Sequence, residues 1–385
     1  LGDLHLRGSL SSLGKILPPT KEFVSSVPVS EPTRPERLVS LDALRGLDMA
    51  FIIGLGTALK ALFVAWGWTA LAVQFDHVNW EGFHFEDLIF PLFVFIAGVS
   101  LTYSLPRAVE HLGRSHTALR LFKRCVILFL LGIFMSKGIQ NGWENVRWLG
   151  VLQRIALASL AAGLLFLYFK PRALIAATVT LLLGYWGIFL FLHSGDPASR
   201  YLEGQNVVNL FDAQWLPGRK YDGNHDPEGI LSTLPAIASA VLGVLAGLWV
   251  QSTATPQRKV MALAVAGAIL LGVGWSWNLQ FPVIKKLWTS SFVLVAAGWS
   301  ALLFALFYWL IEIRRWLAWT PPWVWIGMNP ITLYIVAGVV SFTTVAKRVT
   351  GPANASPEWL PAAVGFLLIL LLARFLYRRK IFLRV

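Results

Sequence analysis

Charge and cysteine are both scarce in this 385-residue chain. Only 14% of its residues are charged, against about 25% in ordinary soluble domains. A normal water-facing surface is therefore excluded. The single cysteine, Cys125, excludes an internal disulfide framework and a thiolate metal centre. No internal repeat of the kind that marks many transporters is visible. A net charge of +13 would suit nucleic acid, yet no nucleic-acid motif accompanies it, and basic loops are ordinary on membrane proteins. What is present is apolar: 56% hydrophobic residues, a mean hydropathy of +0.63 and eighteen tryptophans. Such an excess cannot all be hidden inside one soluble core of this length, whereas tryptophan suits the headgroup level of a bilayer.

The apolar residues are gathered into long runs separated by short polar segments. Runs at 46–66, 88–105, 121–138, 150–169, 173–192, 230–250, 260–276, 291–311, 323–343 and 359–376 each approach the length needed to cross a hydrocarbon core. Backbone in lipid must satisfy its own hydrogen bonds, so these runs are expected to be helices. The fold class is thus an all-α polytopic membrane protein of about ten transmembrane helices. Residues 1–36, broken by Pro18, Pro19, Pro28, Pro32 and Pro35, read as a flexible polar tail, with a single membrane domain over 37–385. No short apolar core follows an N-terminal charge cluster, so the tail is not expected to be a signal peptide.

Loop charge orients the bundle. With the tail on one side, that side collects 22 of the 33 lysines and arginines, while 12 of the 20 acidic residues fall on the other. By the positive-inside rule both termini are expected in the cytoplasm. The long segment 193–229 then lies outside, as do most polar clusters.

Polar residues at membrane depth are costly and mark candidate sites. Asp76-His77-Val78-Asn79-Trp80-Glu81-Gly82-Phe83-His84-Phe85-Glu86-Asp87 runs straight into an apolar span. A histidine with a carboxylate partner suits general acid–base work. The plainer alternative is that Asp87 caps the helix and the histidines are wetted interface residues. The step from His77 to His84 fits no common zinc spacing, so no metal site is expected. A second cluster is Asn141-Gly142-Trp143-Glu144 followed by Gly150-Val151-Leu152-Gln153-Arg154. An arginine at the start of an apolar span either clamps an anionic ligand or closes an internal ion pair, with Glu144 or Asp87 as partner. In His225-Asp226-Pro227-Glu228-Gly229-Ile230-Leu231, Asp226 and Pro227 read as a helix start. Lys285 and Lys286 precede another span, contacting an anion or snorkelling to headgroups. Gly327-Met328-Asn329-Pro330 is a polar break within the ninth span, and Asp42 can meet Arg45 one helical turn on.

Taken in order, these segments resemble the heparan-α-glucosaminide N-acetyltransferase family of transmembrane acyltransferases, and especially its bacterial DUF5009 group. The resemblance covers roughly residues 37–345. It is carried by Leu41-Asp42-Ala43-Leu44-Arg45-Gly46, His77 with Trp80 and Gly82, and Asp87-Leu88-Ile89-Phe90-Pro91. Further matches are Gly150-Val151-Leu152-Gln153-Arg154-Ile155, Asp226-Pro227-Glu228-Gly229-Ile230-Leu231, Lys286-Leu287-Trp288-Thr289-Ser290 and Gly327-Met328-Asn329. The resemblance implies transfer of an acetyl group from cytosolic acetyl-CoA, a co-substrate, to an amino sugar or glycan across the membrane. It assigns His77 as the catalytic histidine, either accepting the acetyl group or deprotonating the amine. Charge adds Asp87 as its orienting partner. Trp80, Glu81, Gln153, Arg154, Asp226, Glu228 and Asn329 are then expected to bind substrate, with Arg154, Lys285 and Lys286 facing CoA phosphates. A bacterial inner membrane and a homodimer are also implied. One departure is that Ile53-Gly54-Leu55-Gly56-Thr57-Ala58-Leu59-Lys60 lacks the asparagine often found there in the family. Two alternatives stay open: an amino-sugar permease on the same scaffold, and a catalytically degenerate scaffold protein.

Overall fold

A computed structural model describes residues 38–136, 142–351 and 357–382. The tail over 1–36, together with Arg37 and Asn141, lies outside the described residues. The described chain is helical, with only isolated β-bridges beside the helices. The helices are α1 (Val39–Ala50), α2 (Gly56–Ala65), α3 (Thr69–Ala72), α4 (Phe85–Met135), α5 (Val151–Tyr168), α6 (Pro171–Leu192) and α7 (Val207–Trp215). They continue with α8 (Thr233–Val250), α9 (Pro256–Trp277), α10 (Ser290–Tyr308), α11 (Pro321–Gly327), α12 (Pro330–Val339), α13 (Phe342–Thr350) and α14 (Trp359–Arg378).

Among the described residues, eight helical stretches are long and apolar enough to cross a membrane, or nine when α11 and α12, bent by 79°, count as one broken span. The ten expected runs map onto these because α4 holds two of them. At 51 residues it is far longer than the ~20 that a bilayer needs. Gly113, at φ 76° and ψ 169°, interrupts its helical backbone, a conformation that only glycine adopts without a Cβ penalty. The first span starts earlier than its hydropathy suggests, at Val39, because Asp42 pairs with Arg45 at 3.1 Å and the Ser40 amide donates to Glu312 Oε1 at 3.0 Å. A five-residue π segment, Phe51–Leu55, then joins α1 to α2.

Burial sorts the helices into an inner and an outer set. α4, α8 and α10 carry most of the core, including Phe95, Val99, Val241, Val244, Val295 and Phe304. α8 crosses α4 closely: a Cβ on Gly98 would lie 2.0 Å from Ala240 O, and one on Gly243 would lie 2.0 Å from Phe95 O. Small residues allow this backbone approach, which replaces hydrophobic burial as the cohesive force inside a bilayer. The outer helices leave apolar stripes uncovered: Ile175, Val179 and Leu183 on α6, Met261, Val265, Ile269 and Val273 on α9, and Leu367, Leu371 and Phe375 on α14. Fourfold spacing places each stripe on one face, where lipid is the natural solvent.

The bundle end at which α4, α8 and α10 begin carries the polar clusters. The 193–229 segment there contains α7, capped by Asn206, whose side chain accepts from the Asn209 amide. The opposite end carries Arg45 and Glu312.

Candidate active site

The site is assembled from three connections at one end of the bundle. The first joins α3 to α4. Gly82, at φ 119°, turns the chain so that its amide donates to Val283 O at 2.9 Å. His84 is the N-cap of α4, and Asp87 stands at the third helical position. Asp87 Oδ2 accepts from the His84 amide at 3.0 Å and the Val78 amide at 3.2 Å. Asp87 therefore both caps the helix and meets the imidazole. One oxygen closes the helix cap, and the other, Oδ1, lies 3.0 Å from His77 Nδ1.

The second connection joins α9 to α10 and delivers Lys285. It is stiffened from inside: Thr289 Oγ1 accepts from the Ile284 and Phe292 amides, and the Tyr185 hydroxyl donates to Leu287 O at 2.6 Å. Lys285 Nζ stands 3.2 Å from Asp87 Oδ1, 2.9 Å from His77 Nδ1 and 3.4 Å from His77 Nε2. Burial holds this ammonium below the usual lysine range, partly offset by the Asp87 charge. Asp87 is fully buried, whereas the His77 side chain is 59% exposed and faces the cavity. Nδ1 cannot donate to Asp87 and accept from Lys285 at once. With Nδ1–H on Asp87, Nε2 is left as the basic nitrogen.

The third connection, 216–232, folds back on the segment before α5. Arg147 donates through Nε and Nη2 to the two oxygens of Asp226 at 2.7 and 2.6 Å, and through Nη2 to Glu228 Oε2 at 2.5 Å. Asp226 also accepts from the Tyr221 and Glu228 amides. The Asp226 carboxylate is thus occupied, and it does not cap the helix as the sequence suggested: α8 starts at Thr233, with Ser232 as N-cap. Burial raises the Glu228 carboxyl above its usual range despite Arg154 and Arg147. Asp212 on α7 is likewise pushed up by burial, to about 6, while its Oδ1 accepts from the Ile230 amide.

A cavity of about 360 Å³ opens between these connections, lined by His77, Trp80, Glu228, Lys285, Lys286 and Trp288 among others. A second, of about 320 Å³, adjoins it through shared Arg147, Val151, Tyr221 and Tyr334 and is lined by Gln153. Below them an apolar seam of about 20 Å³ runs between Phe90, Phe93, Leu128 and Ile155. The proposed residues thus divide. His77, Trp80, Glu228, Lys285 and Lys286 line the cavity, Asp87 stands buried behind His77, and Gln153 faces the neighbouring cavity. Asp226 lies behind Glu228, holding Arg147. Arg154 is fully buried: Nη2 donates to Ser232 Oγ, and the guanidinium lies 4.8 Å from the Trp288 ring centroid. Glu228, Asp226 and Asp212 supply its compensating charge, so neither Glu144 nor Asp87 serves as its partner. Glu81 is exposed and pairs by a β-bridge with Ile284. Asn329 is buried at the opposite end, donating to Ile381 O at 3.0 Å. Thr57 lies on a separate pocket with Ser341 and Gly365.

Sequence reasoning passed over Arg147, Tyr221 and Tyr334. Arg147 had a signal, as a lone cation within a short aromatic segment before a span. The tyrosines had none, because only the folding back of distant connections brings them to the cavity.

The sequence model of the family described as "Heparan-alpha-glucosaminide N-acetyltransferase, catalytic" matches residues 37–270. The chain is 24% identical to the mouse heparan-alpha-glucosaminide N-acetyltransferase and 25% identical to the human one, over 91% of its own length in each case. It spans about 60% of the length of these curated relatives. With His77, Asp87, Arg147 and Glu228 all inside the matched region, the chain belongs to the heparan-alpha-glucosaminide N-acetyltransferase catalytic family.

Proposed function

We propose that this protein transfers an acetyl group from acetyl-CoA to the amine of an amino sugar or glycan, using His77 at the extracytoplasmic end of a bundle whose termini are cytoplasmic. The observation that carries the reading is His77 held between Asp87 and Lys285 at the wall of a large cavity. Asp87 keeps the proton on Nδ1, and Nε2 faces the chemistry. In direct transfer the amine nitrogen attacks the thioester carbonyl, its proton moves to Nε2, the C–S bond breaks, and the thiolate receives that proton as CoA thiol. In the covalent route Nε2 attacks the carbonyl and the C–S bond breaks to release thiolate; the amine then attacks the acetyl-imidazolium, the Nε2–acetyl bond breaks, and the amine proton ends on the thiolate. Both leave an N-acetyl sugar and free thiol, and both need the same nitrogen. The Lys285 ammonium, within 3.4 Å of Nε2, stands where charge would build on the carbonyl oxygen. Lys286 lines the cavity as the cation for donor phosphates, whereas Arg147 is held by Asp226 and Glu228; Glu228 suits sugar hydroxyls or the cationic amine. Arg154 serves from behind by fixing Trp288. A donor arriving from the cytoplasmic face would pass the apolar seam, whose ~20 Å³ must widen to admit a pantetheine arm. The excess of basic residues on the termini side supports that orientation, and the resemblance to the bacterial group of the family suggests an inner membrane.

The test is acetyl transfer from radiolabelled acetyl-CoA to a panel of amino sugars by purified wild type and His77→Ala. Transfer by the wild type and its loss in the variant is expected. Equal transfer by both removes His77 from the reaction. Mass spectrometry of the wild type incubated with the donor alone separates the two routes by the presence of acetyl-histidine.

A further inference from the structure

Glu203, Asp222 and His225 form a second polar cluster outside the transfer chemistry. Each offers one atom, and all three atoms lie within 4.8 Å of one another. His225 Nε2 is 3.6 Å from Glu203 Oε1 and 3.7 Å from Asp222 Oδ2. Bonds of about 2.0–2.2 Å around a tetrahedral zinc ion would set its ligands roughly 3.4 Å apart. The two separations from the imidazole are already close to that value, and the two carboxylate atoms lie within 4.8 Å of each other.

An acidic cluster alone would say little, but the imidazole adds an independent observation. His225 is 3% exposed, and its Nε2 has no hydrogen-bond partner among the described residues. Its other nitrogen, Nδ1, lies 2.7 Å from Asn224 Oδ1. An amide oxygen only accepts, so Nδ1 carries the proton and donates. The neutral ring then points a bare Nε2 lone pair at two carboxylates, an arrangement that is repulsive until a cation stands between them. A histidine that ligates a metal through one nitrogen while the other donates to an oxygen is the usual way a protein fixes the tautomer.

The structure places a cation beside this group: Lys286 Nζ lies 2.7 Å from Glu203 Oε1 and 3.2 Å from Asp222 Oδ2. An ammonium has only donors. It hydrogen-bonds Glu203 but leaves Asp222 Oδ2 and His225 Nε2 without hydrogen-bond partners among the described residues. We propose that Glu203, Asp222 and His225 bind a divalent transition-metal ion such as Zn²⁺, in competition with the Lys286 ammonium. Lys286 also lines the main cavity and stands 5.9 Å from the Trp80 ring centroid. Metal binding would therefore pin the loop and release a lysine toward the substrate cavity. The inference rests on the loop geometry and holds whether or not acetyl transfer is the reaction.

The experiment is isothermal titration of the detergent-purified, chelator-treated full chain with Zn²⁺, with Mg²⁺ as a hard-cation control. One Zn²⁺ per chain and an upward shift in thermal midpoint are expected, with no such response to Mg²⁺. His225→Gln should weaken binding at least tenfold, whereas Lys286→Met should strengthen it by a similar factor by removing the competing charge. The two variants are predicted to move in opposite directions, so a general loss of folding cannot imitate the result. A wild type that binds no Zn²⁺, a His225→Gln protein that binds as tightly as the wild type, or a Lys286→Met protein that binds no more tightly each overturns the proposal.

Discussion

Asp87→Asn separates the two duties of the carboxylate at the centre of the site. The two backbone donors both reach Oδ2, and the two ionisable partners both reach Oδ1. An asparagine with its oxygen in the Oδ2 position keeps the helix cap. Its NH₂ group then sits against His77 Nδ1 and the Lys285 ammonium, so a donor replaces an acceptor facing both. Two charge-assisted hydrogen bonds are lost, each worth about 1.5–3 kcal/mol, and a partly buried ammonium is left without its carboxylate. Because the asparagine NH₂ can satisfy a bare Nδ1, the imidazole should switch to the tautomer with its proton on Nε2. The proposed base is then silenced without being removed. Loss of a positioned base costs about 10²–10⁴ in rate, and the turnover number should fall into that range with little change in the Michaelis constant for the acceptor. The assay is the radiolabelled transfer described above, with a thermal melt in detergent to confirm folding. Asp87→Asn retaining a third or more of wild-type turnover would refute the reasoning, since Asp87 would then not set the state of His77.

Three further outcomes follow from the same structure. Asp212, raised from the usual carboxylate range to about 6, binds its proton more tightly folded than unfolded. Its contribution is present below about pH 4 and lost as pH rises through 6, a change of ~3 kcal/mol at about 1.4 kcal/mol per unit. Asp212→Asn should therefore melt higher than wild type above pH 6 and show a flatter pH profile. A parallel pair of stability curves would contradict this. Arg147→Met breaks the bonds to Asp226 and Glu228 and leaves two carboxylates uncompensated, so a loss of about 3–5 kcal/mol is expected as a lower thermal midpoint. Arg147→Met with Asp226→Asn should recover part of it. Gly98→Val drives carbons into Ala240 O and should abolish recovery of folded protein on size-exclusion chromatography, whereas Gly184→Val, with open space around its Cβ position, should behave as wild type.

Hydropathy already determined the class of this protein, because a hydrocarbon solvent demands long uninterrupted apolar runs and leaves them readable as such. The pairing of Asp42 with Arg45 and the break at Asn329 were legible for the same reason: helical spacing and helix breaking are local. The His77 and Asp87 partnership could be proposed because both residues lie on one short connection. What the sequence alone did not decide was which distant loops would close on them. Lys285 arrives from more than two hundred positions away. Arg147, rather than Arg154, became the hydrogen-bonded partner of Asp226 and Glu228, although the two arginines stand seven residues apart. Their difference is rotational: α5 turns Arg154 inward onto Trp288, while the extended segment before it presents Arg147 to the folded-back loop. Local spacing settles which residues share a helix face; only the packing of one helix against another, governed by how closely glycines such as Gly98 and Gly243 let backbones approach, settles which faces meet and which charges find each other.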